Sequence, residues 1–264
     1  MRRKSRNGPI FCKSRPPRSD YLTRMIEARN LQKNYGSVRA VDDLTFTAPN
    51  GAITGLLGSN GAGKTATLRM ICGVLQPDRG SVVIDDTPPA PDARALQSCI
   101  GALLDHTGLY PRLTTRENLT YFGQLRGIPR AQLSARVDEL LSTLGLLPIS
   151  DRRTAGFSQG ERMKIALARA IIHSPRNLLL DEPTNGLDIP TVRSLRQTLR
   201  QMRDSGMCVV FSSHVLEEVR LLCDHVAIIS AGRIVAQGSP GDLAREDAFI
   251  QLTNQDNPQC LITH

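Results

Sequence analysis

The glycine-rich stretch GLLGSNGAGKTATLRM, residues 55–70, constrains this chain more than any other segment. It places Gly58, four further residues and then Gly63, Lys64 and Thr65 between a strand-like run and a helix-like run. This is the phosphate-loop pattern, in which backbone N–H groups curl around phosphate oxygens and the helix N-terminus adds partial positive charge. The lysine of such a loop reaches the β- and γ-phosphates, and the threonine ligates Mg²⁺. We therefore predict a nucleotide-binding site at this loop.

A second chemical signal is NLLLDEP, residues 177–183, where an apolar run ends in Asp181 and Glu182. Carboxylates at the carboxyl end of a parallel strand lie where ligands bind in α/β proteins. On the functional interpretation Asp181 holds Mg²⁺ through water, and Glu182 polarises the attacking water as general base. On the structural alternative the pair caps the next turn, because the following PTNG favours a turn. The phosphate loop elsewhere in the chain favours the functional interpretation.

The segment FSQGERMKIALARAI, residues 157–171, has two interpretations. Ser158 and Glu161 fit a capping box, in which the serine oxygen accepts from the Glu161 N–H and the carboxylate accepts from the Ser158 N–H. Alternatively, Ser158 and Gly160 face outward and contact a phosphate held by a second copy of the chain. Because a hydroxyl has one donor and two acceptor lone pairs, the two roles are compatible.

Strand and helix signals along the chain predict its organisation. Strand-like runs joined by NYGS and PNG predict a small N-terminal β lobe. Helical patterns within about residues 112–174 predict an inserted helical lobe, and the alternation after it predicts parallel strands covered by helices on both faces. The predicted strands are 26–31, 41–47, 52–57, 80–84, NLLLDE, MCVVFSS, HVAIIS and RIVAQG, and the predicted helices are 64–74, 115–126, 130–145, 158–173, 190–205 and 215–222.

The net charge of +8 is concentrated at the N-terminus. Residues 1–24 carry eight basic side chains against Asp20 alone, a net +7, which leaves +1 for the rest of the chain. We interpret this arm as disordered, either a start-site artefact ahead of Met25 or a weak tether to an anionic surface. No specific nucleic-acid binding is predicted, because the arm has few aromatics and no folded scaffold. TPPAPD at 87–92 predicts a surface turn, and residues 245–264 a tail.

Cysteine spacing and hydropathy exclude several other classes of protein. The six cysteines, at positions 12, 72, 99, 208, 223 and 260, have no CxxC spacing, so neither a zinc site nor a disulfide framework is predicted. No apolar run approaches the roughly 18 residues that span a bilayer, and the arm lacks the apolar region of a secretory signal. We expect a soluble chain in a reducing cytosol.

The phosphate loop, FSQGE, NLLLDEPTNGLD and VVFSSH occur in this order, and with them the sequence resembles the ATP-binding subunit of ABC transporters over about residues 25–244. The resemblance implies an α/β fold: a P-loop NTPase (RecA-like) parallel-sheet core with an N-terminal antiparallel β lobe and an inserted α-helical lobe. It implies ATP and Mg²⁺ as cofactors and hydrolysis of ATP to ADP and phosphate. It also implies a homodimer closed around two ATP, driving a membrane permease on a separate chain at the cytoplasmic face of the membrane.

The resemblance also assigns roles to matching positions. Tyr35, in KNYGSVRAV, would stack on adenine, with an ordinary strand-end tyrosine as the alternative. His214 would contact the γ-phosphate, with a structural histidine as the alternative, and Asn185 to Asp188 match the loop that crosses the dimer seam. The implied catalytic residues are Glu182 and His214; the nucleotide-binding residues are Tyr35, Gly58, Ser59, Asn60, Gly61, Ala62, Gly63, Lys64, Thr65, Ala66, Ser158, Gly160 and Asp188; the Mg²⁺ ligands are Thr65, Asp181 and Asp105.

Three positions depart from the family pattern. Ala66 replaces a Ser or Thr that donates to the α-phosphate, a loss of about 1.5–3 kcal/mol. Asp105 replaces a Gln that links Mg²⁺ and the attacking water to the helical lobe, and its carboxylate would repel a γ-phosphate without metal between them. Glu161 replaces the final Gln of the usual LSGGQ signature. Because the loop lysine, both strand-end acids and the histidine are present, an active ATPase is favoured over a catalytically weak or silent ATP-binding regulatory module.

The segment DHTGLYPRLTTRENLTYFGQLRG, residues 105–127, is most similar to ATPase subunits of sodium exporters of the NatA type, whose relatives export antibiotics and other drugs. This similarity implies export of sodium or of drug-like cargo. The alternative is that the helical lobe tolerates this sequence without any relation to cargo. The chain has no NKxD guanine-reading motif, which argues against a GTPase. A single cassette without a long coiled-coil insertion argues against the ABC proteins that act on ribosomes or DNA.

Overall fold

The computed structural model describes residues 25–85, 93–104 and 108–243. The predicted N-terminal arm, the TPPAPD turn, Asp105 and the C-terminal tail lie outside these residues. The strands are β1 (Met25–Tyr35), β2 (Val38–Pro49), β3 (Ile53–Leu57), β4 (Arg79–Ile84), β5 (Ile100–Leu103), β6 (Asn177–Leu180), β7 (Cys208–Ser213), β8 (His225–Ser230) and β9 (Arg233–Gly238). The helices are α1 (Lys64–Ile71), α2 (Ala93–Cys99), α3 (Thr115–Leu125), α4 (Arg130–Thr143), α5 (Gln159–Ala170), α6 (Ile189–Asp204), α7 (Leu216–Leu222) and α8 (Pro240–Leu243).

The N-terminal lobe is a three-stranded antiparallel sheet with the order β2-β1-β4. β1 and β2 form a hairpin in which Tyr35 pairs with Val38, and Gly36 takes the positive φ of 59° that the tight turn requires. β4 reaches this sheet only after the chain has passed through β3 and α1, and it pairs with the other side of β1. The antiparallel lobe expected from the resemblance is confirmed.

The second sheet has six strands in the order β5-β6-β7-β3-β8-β9. All pairs from β5 to β8 are parallel, as predicted for the core. The prediction of parallel strands was wrong for β9, which runs antiparallel to β8. Only Ala231 and Gly232 separate the two strands, both with positive φ, whereas a parallel crossover needs a dozen or more residues. The four-residue edge strand β5 was not predicted.

The alternation of side chains along the core strands divides the apolar core into two layers. Leu178 and Leu180 of β6 belong to one apolar cluster, which also contains buried residues of α4, α5, α6 and α7, whereas Leu179 belongs to the opposite layer. That opposite layer contains Phe46 of the antiparallel lobe and Leu68 of α1. Helices therefore lie on both faces as predicted, and the β lobe covers the same face as α1. The lobe packs there because its own alternating apolar residues need a surface to bury them.

The predicted helical lobe lies between β5 and β6 and contains α3, α4 and α5. Capping boxes begin two of these helices, one made by Thr114 and Glu117 at α3 and the other by Ser158 and Glu161 at α5. In each box a side-chain oxygen accepts a backbone N–H that the helix leaves unpaired. The predicted box at Ser158 is therefore confirmed, and the start of α5 is fixed by local contacts.

His173 joins the end of the helical lobe to the edge of the core sheet. Its Nε2 lies 3.1 Å from the carbonyl oxygen of Ile100 in β5, and its buried Nδ1 has no hydrogen-bond partner among the described residues. Burial, followed by the positive charge of Arg126, lowers the pKa of His173 to about 4. The neutral imidazole is thus the form that fits this junction.

We expect His173→Gln to weaken the pH dependence of stability. The pKa of His173 in the folded chain, about 4, lies below its ordinary value of 6.5, so its contribution to stability is present above pH 6.5 and is lost as the pH falls toward 4. Urea unfolding between pH 7.5 and 4.5 measures the slope of the unfolding free energy against pH. In the variant this slope should be shallower, by an amount that corresponds to at most one proton per molecule. His225→Gln, at an exposed position, is the control. Equal pH slopes for His173→Gln and wild type would contradict the assignment.

Candidate active site

The phosphate loop owes its shape to glycines with different physical requirements. A Cβ at Gly58 would lie 2.3 Å from the carbonyl oxygen of Ile229, and one at Gly63 would lie 2.5 Å from that of Ala40. These two glycines therefore permit close backbone packing. Gly61 has a φ of 84° with open space around it, so there the requirement is conformational. The backbone therefore packs closely against neighbouring strands at Gly58 and Gly63, whereas the space around Gly61 in the middle of the loop is open.

Lys64 lies inside the loop that it follows. Its Nζ donates to the carbonyl oxygens of Gly58 at 2.8 Å and Ser59 at 3.0 Å, and the residue is 5% exposed. The same ammonium is 3.3 Å from Oε1 of Glu182. That oxygen has no hydrogen-bond partner among the described residues, so the contact is an ion pair without good hydrogen-bond geometry. The loop lysine and the strand-end glutamate predicted from sequence are thus brought together.

Asp181 connects the end of β6 to the phosphate loop. Its Oδ2 accepts from the hydroxyl of Thr65 at 2.6 Å, and its Oδ1 accepts from the hydroxyl of Ser212 at the end of β7. The Ser212 oxygen in turn accepts from the backbone N–H of Glu182 at 2.9 Å. The carboxylate and hydroxyl predicted to hold Mg²⁺ are therefore in direct contact.

His214 completes this group of side chains. Its Nδ1 lies 2.8 Å from Oε2 of Glu182, so the two oxygens of Glu182 face Lys64 and His214. Glu182 has a φ of 45°, in the left-handed region that few glutamates occupy. Backbone strain of this kind is concentrated at functional sites, where surrounding contacts maintain it.

A cleft with a volume of about 330 Å³ lies over the phosphate loop. Tyr35, 50% exposed at the end of β1, contributes an aromatic wall to it. Its lining residues are Tyr35, Ala40, Asn60, Gly61, Gly63, Lys64, Thr65, Ala66, Arg69 and Glu182. The predicted aromatic, loop and acidic residues therefore share one concavity. Arg69, which lies about one turn beyond Thr65 on α1, was not predicted.

Ser158, Gly160 and Asp188 do not line this cleft. Ser158 is exposed at the start of α5, and Gln159 beside it donates from Nε2 to the carbonyl oxygen of Asn185 at 2.7 Å. Asp188 is the N-cap of α6, and the hydrogen bonds from Thr191 hold the pKa of its carboxyl below the usual range. These three residues form a separate surface that runs from α5 to the turn after Glu182.

Ser212 is a site residue that sequence reasoning missed. It is fully buried at the end of an otherwise apolar strand, and it contacts both Asp181 and the backbone of Glu182. A buried hydroxyl at the carboxyl end of a core strand was the available signal, because such a group requires a partner.

Comparison with known proteins agrees with this geometry. The model of the ABC transporter family matches residues 41–185. The chain is 41% identical over 213 residues to the ABC transporter ATP-binding protein NatA of Bacillus subtilis, covering 80% of this chain and 87% of that protein. It is 37% identical over 218 residues to the Nod factor export ATP-binding protein I of Paraburkholderia xenovorans, covering 83% and 72%. The structure of cbiO1 from Clostridium perfringens, part of the transporter complex cbiONQ, superposes with a TM-score of 0.78 and 26% identity over 89% of this chain and 96% of that one.

A P-loop α/β core with an antiparallel lobe, an inserted helical lobe and this cleft defines an ABC-type ATPase. The chain belongs to the ABC transporter family, as an ATP-binding and ATP-hydrolysing subunit. The resemblance seen in the sequence motifs is thereby confirmed, as is the fold class.

We expect Tyr35→Ala to weaken ATP binding by about tenfold or more, because stacking of a base on an aromatic ring contributes about 1–3 kcal/mol. Tyr35→Phe should retain near wild-type affinity, since it keeps the ring. Binding of a fluorescent ATP analogue to the purified chain measures both. Tyr121→Ala removes a partly exposed ring from the helical lobe and is the control. Equal affinity of Tyr35→Ala and wild type would remove Tyr35 from the adenine site.

Proposed function

We propose that this chain hydrolyses ATP with Glu182 as general base, acts as a homodimer, and drives a permease on a separate chain that exports sodium or a drug-like compound. The observation that carries the catalytic assignment is the placement of Glu182 between Lys64, 3.3 Å away, and His214, 2.8 Å away. A carboxylate held beside a phosphate-loop lysine lies where it can accept a proton from water near the γ-phosphate.

Lys64, Glu182 and His214 have different roles in the proposed hydrolysis. Lys64 exchanges its contacts with the loop carbonyls and Glu182 for phosphate oxygens of ATP, which frees Glu182 Oε1. Glu182 then takes a proton from the water as the water oxygen bonds to the γ-phosphorus and the bond to the bridging oxygen of ADP breaks. His214 contacts the γ-phosphate and is oriented by its Nδ1 contact with Glu182. Such prepositioned groups act mainly by electrostatics and orientation.

The oxygen donors at the phosphate loop suit Mg²⁺. Thr65 and Asp181 supply a hydroxyl and a carboxylate 2.6 Å apart, which are the hard ligands this ion prefers. The described residues contain no cluster of three or more acidic, histidine or cysteine side chains, which fits an ion held mainly by water and substrate phosphates. Thr65 and Asp181 would hold Mg²⁺, and the ion would neutralise charge on the phosphate oxygens when bound.

The homodimer proposal rests on which groups the cleft lacks. The cleft is lined by the phosphate loop, α1, β1, β2 and the residue Glu182 after β6, whereas the N-terminus of α5 presents Ser158 and Gly160 elsewhere on the same chain. A helix N-terminus with a hydroxyl donor is a suitable anion site. Two chains arranged head to tail would place each α5 N-terminus over the ATP of the other chain.

The proposal of a separate permease and of export rests on the relatives. The similar Nod factor protein is named for export, and cbiO1 is part of a transporter complex. None of the helices in the described ranges is both long enough and apolar enough to cross a bilayer. The subunit would bind the permease at the cytoplasmic face of the membrane. A periplasmic binding protein encoded with the permease would contradict the export proposal.

We expect Glu182→Gln to abolish Mg²⁺-dependent phosphate release while preserving ATP binding, because the amide keeps the shape of the side chain and cannot accept the proton. A malachite-green assay on the full chain, alone and with its permease, measures release. Asp204→Asn, an exposed carboxylate at the end of α6, should leave the rate unchanged. A wild type that releases no phosphate even with the permease would favour the silent regulatory module instead.

We expect Ser158→Ala to collapse turnover while ATP binding to the monomer survives. Loss of the cap alone costs about 1 kcal/mol of stability. Thr114→Ala is a matched control, because it removes the same capping-box contact from α3 without touching the proposed dimer surface. Phosphate release per folded chain and chemical unfolding separate the two effects. If both variants lose the same stability and neither loses turnover, Ser158 acts only as a cap.

A further inference from the structure

Glu218 makes contacts that the catalytic assignment does not use. Its Oε2 accepts from the hydroxyl of Thr184 at 2.6 Å and from the hydroxyl of Ser213 at 2.9 Å. Thr184 lies two residues after Glu182, and Ser213 immediately precedes His214. One carboxylate oxygen on α7 therefore joins the two chain segments that carry the catalytic pair.

Both hydroxyl groups are buried, so each needs a hydrogen-bond acceptor within the protein. Ser213 is fully buried and Thr184 is 8% exposed. The Ser213 oxygen also accepts from the backbone N–H of Val215 at 3.0 Å, so the same hydroxyl bridges the segment around His214. Removing the acceptor would leave these hydroxyls without the partner that orients them.

The position of Glu218 is itself set by packing. α7 rests on β3, where a Cβ at Gly55 would lie 2.9 Å from Cγ1 of Val219. Val219 is fully buried, so the helix turn that carries Glu218 is fixed to the central strand of the sheet. Glu218 thus connects a rigid element to the strained backbone at Glu182, whose φ is 45°.

We propose that Glu218 is a positioning residue for hydrolysis, which holds the Glu182 turn and the His214 segment at their mutual distance. Two direct links already join these segments: the contact between His214 Nδ1 and Glu182 Oε2, and the hydrogen bond from the Glu182 N–H to the Ser212 hydroxyl. The path from Thr184 through Glu218 to Ser213 adds a third. With all three links, Glu182 keeps its orientation when Lys64 leaves it for phosphate. This inference rests on the roles proposed above for Glu182 and His214.

The first test compares three single variants of the full chain. Glu218→Ala should lower kcat by about ten- to a hundredfold, the cost of misplacing a catalytic group by about an ångström, with KM and ATP affinity near wild type. Glu218→Gln should recover most of the rate, because its amide oxygen can accept both hydroxyl hydrogen bonds. Glu217→Ala removes the neighbouring exposed carboxylate of α7 and should behave as wild type. An unchanged kcat in Glu218→Ala, or a Gln variant no better than Ala, would overturn the proposal.

The second test removes the two hydroxyl groups instead of the acceptor. The double variant Thr184→Val, Ser213→Ala should reproduce the kcat loss of Glu218→Ala, and combining all three changes should add little, because they break one shared network. Additive losses would overturn the proposal. If Glu218→Ala does not fold, Thr184→Val compared with Thr184→Ser decides: Ser keeps the hydroxyl and should keep the rate, and equal rates would count against the link.

The activities of Glu182→Gln and Glu218→Ala separate the catalytic assignment of Glu182 from the positioning role of Glu218. If Glu182→Gln still hydrolyses ATP, the catalytic assignment itself is wrong. If Glu182→Gln is inactive and Glu218→Ala keeps full kcat, only the positioning role is wrong.

Discussion

The site depends on the parallel alignment of three adjacent strands, β6, β7 and β3. Each ends at the same edge of the sheet, and each is followed by one part of the machinery: Asp181 and Glu182 after β6, His214 after β7, and the phosphate loop after β3. The register pairs Leu57 with Ser213, so the start of the loop and the segment before His214 are neighbours. Parallel hydrogen bonding therefore converts motifs far apart in sequence into one cluster.

The antiparallel lobe adds a second constraint at the phosphate loop. The N–H of Gly232 in the β8–β9 turn donates to the carbonyl oxygen of Ala62, and its carbonyl oxygen accepts from the N–H of Asp42. Arg233 pairs with the Asp42 carboxylate. These contacts join the lobe, the edge of the second sheet and the phosphate loop, and the same lobe carries Tyr35 in the lining of the cleft. The turn that makes these contacts exists because β9 runs antiparallel to β8, a direction that was predicted wrongly from the sequence.

Within one chain the proposed catalytic and Mg²⁺-binding groups contact each other. Lys64 contacts Glu182, Glu182 contacts His214, and Asp181 contacts Thr65. Such pairing limits the cost of placing charged and polar groups in a partly buried site. In the proposed mechanism, substrate binding replaces the Lys64–Glu182 contact by contacts with phosphate, so the surrounding structure must keep Asp181 and Glu182 in place. The additional link proposed through Glu218 fits this need, and the exposed N-terminus of α5 fits a subunit whose site is completed by another chain.

The local features of this protein could be predicted from short stretches of its sequence. The glycine and lysine spacing of the phosphate loop, the acids after an apolar run and the capping box at Ser158 follow from backbone geometry over a few residues. Three features were instead set by tertiary packing: the direction of β9, the position of the β lobe on one face of the sheet, and the hydroxyl and carboxylate contacts of Ser212 and Glu218. These depend on which strands are neighbours and on which buried polar groups then find partners, and neither is encoded within one segment of the chain.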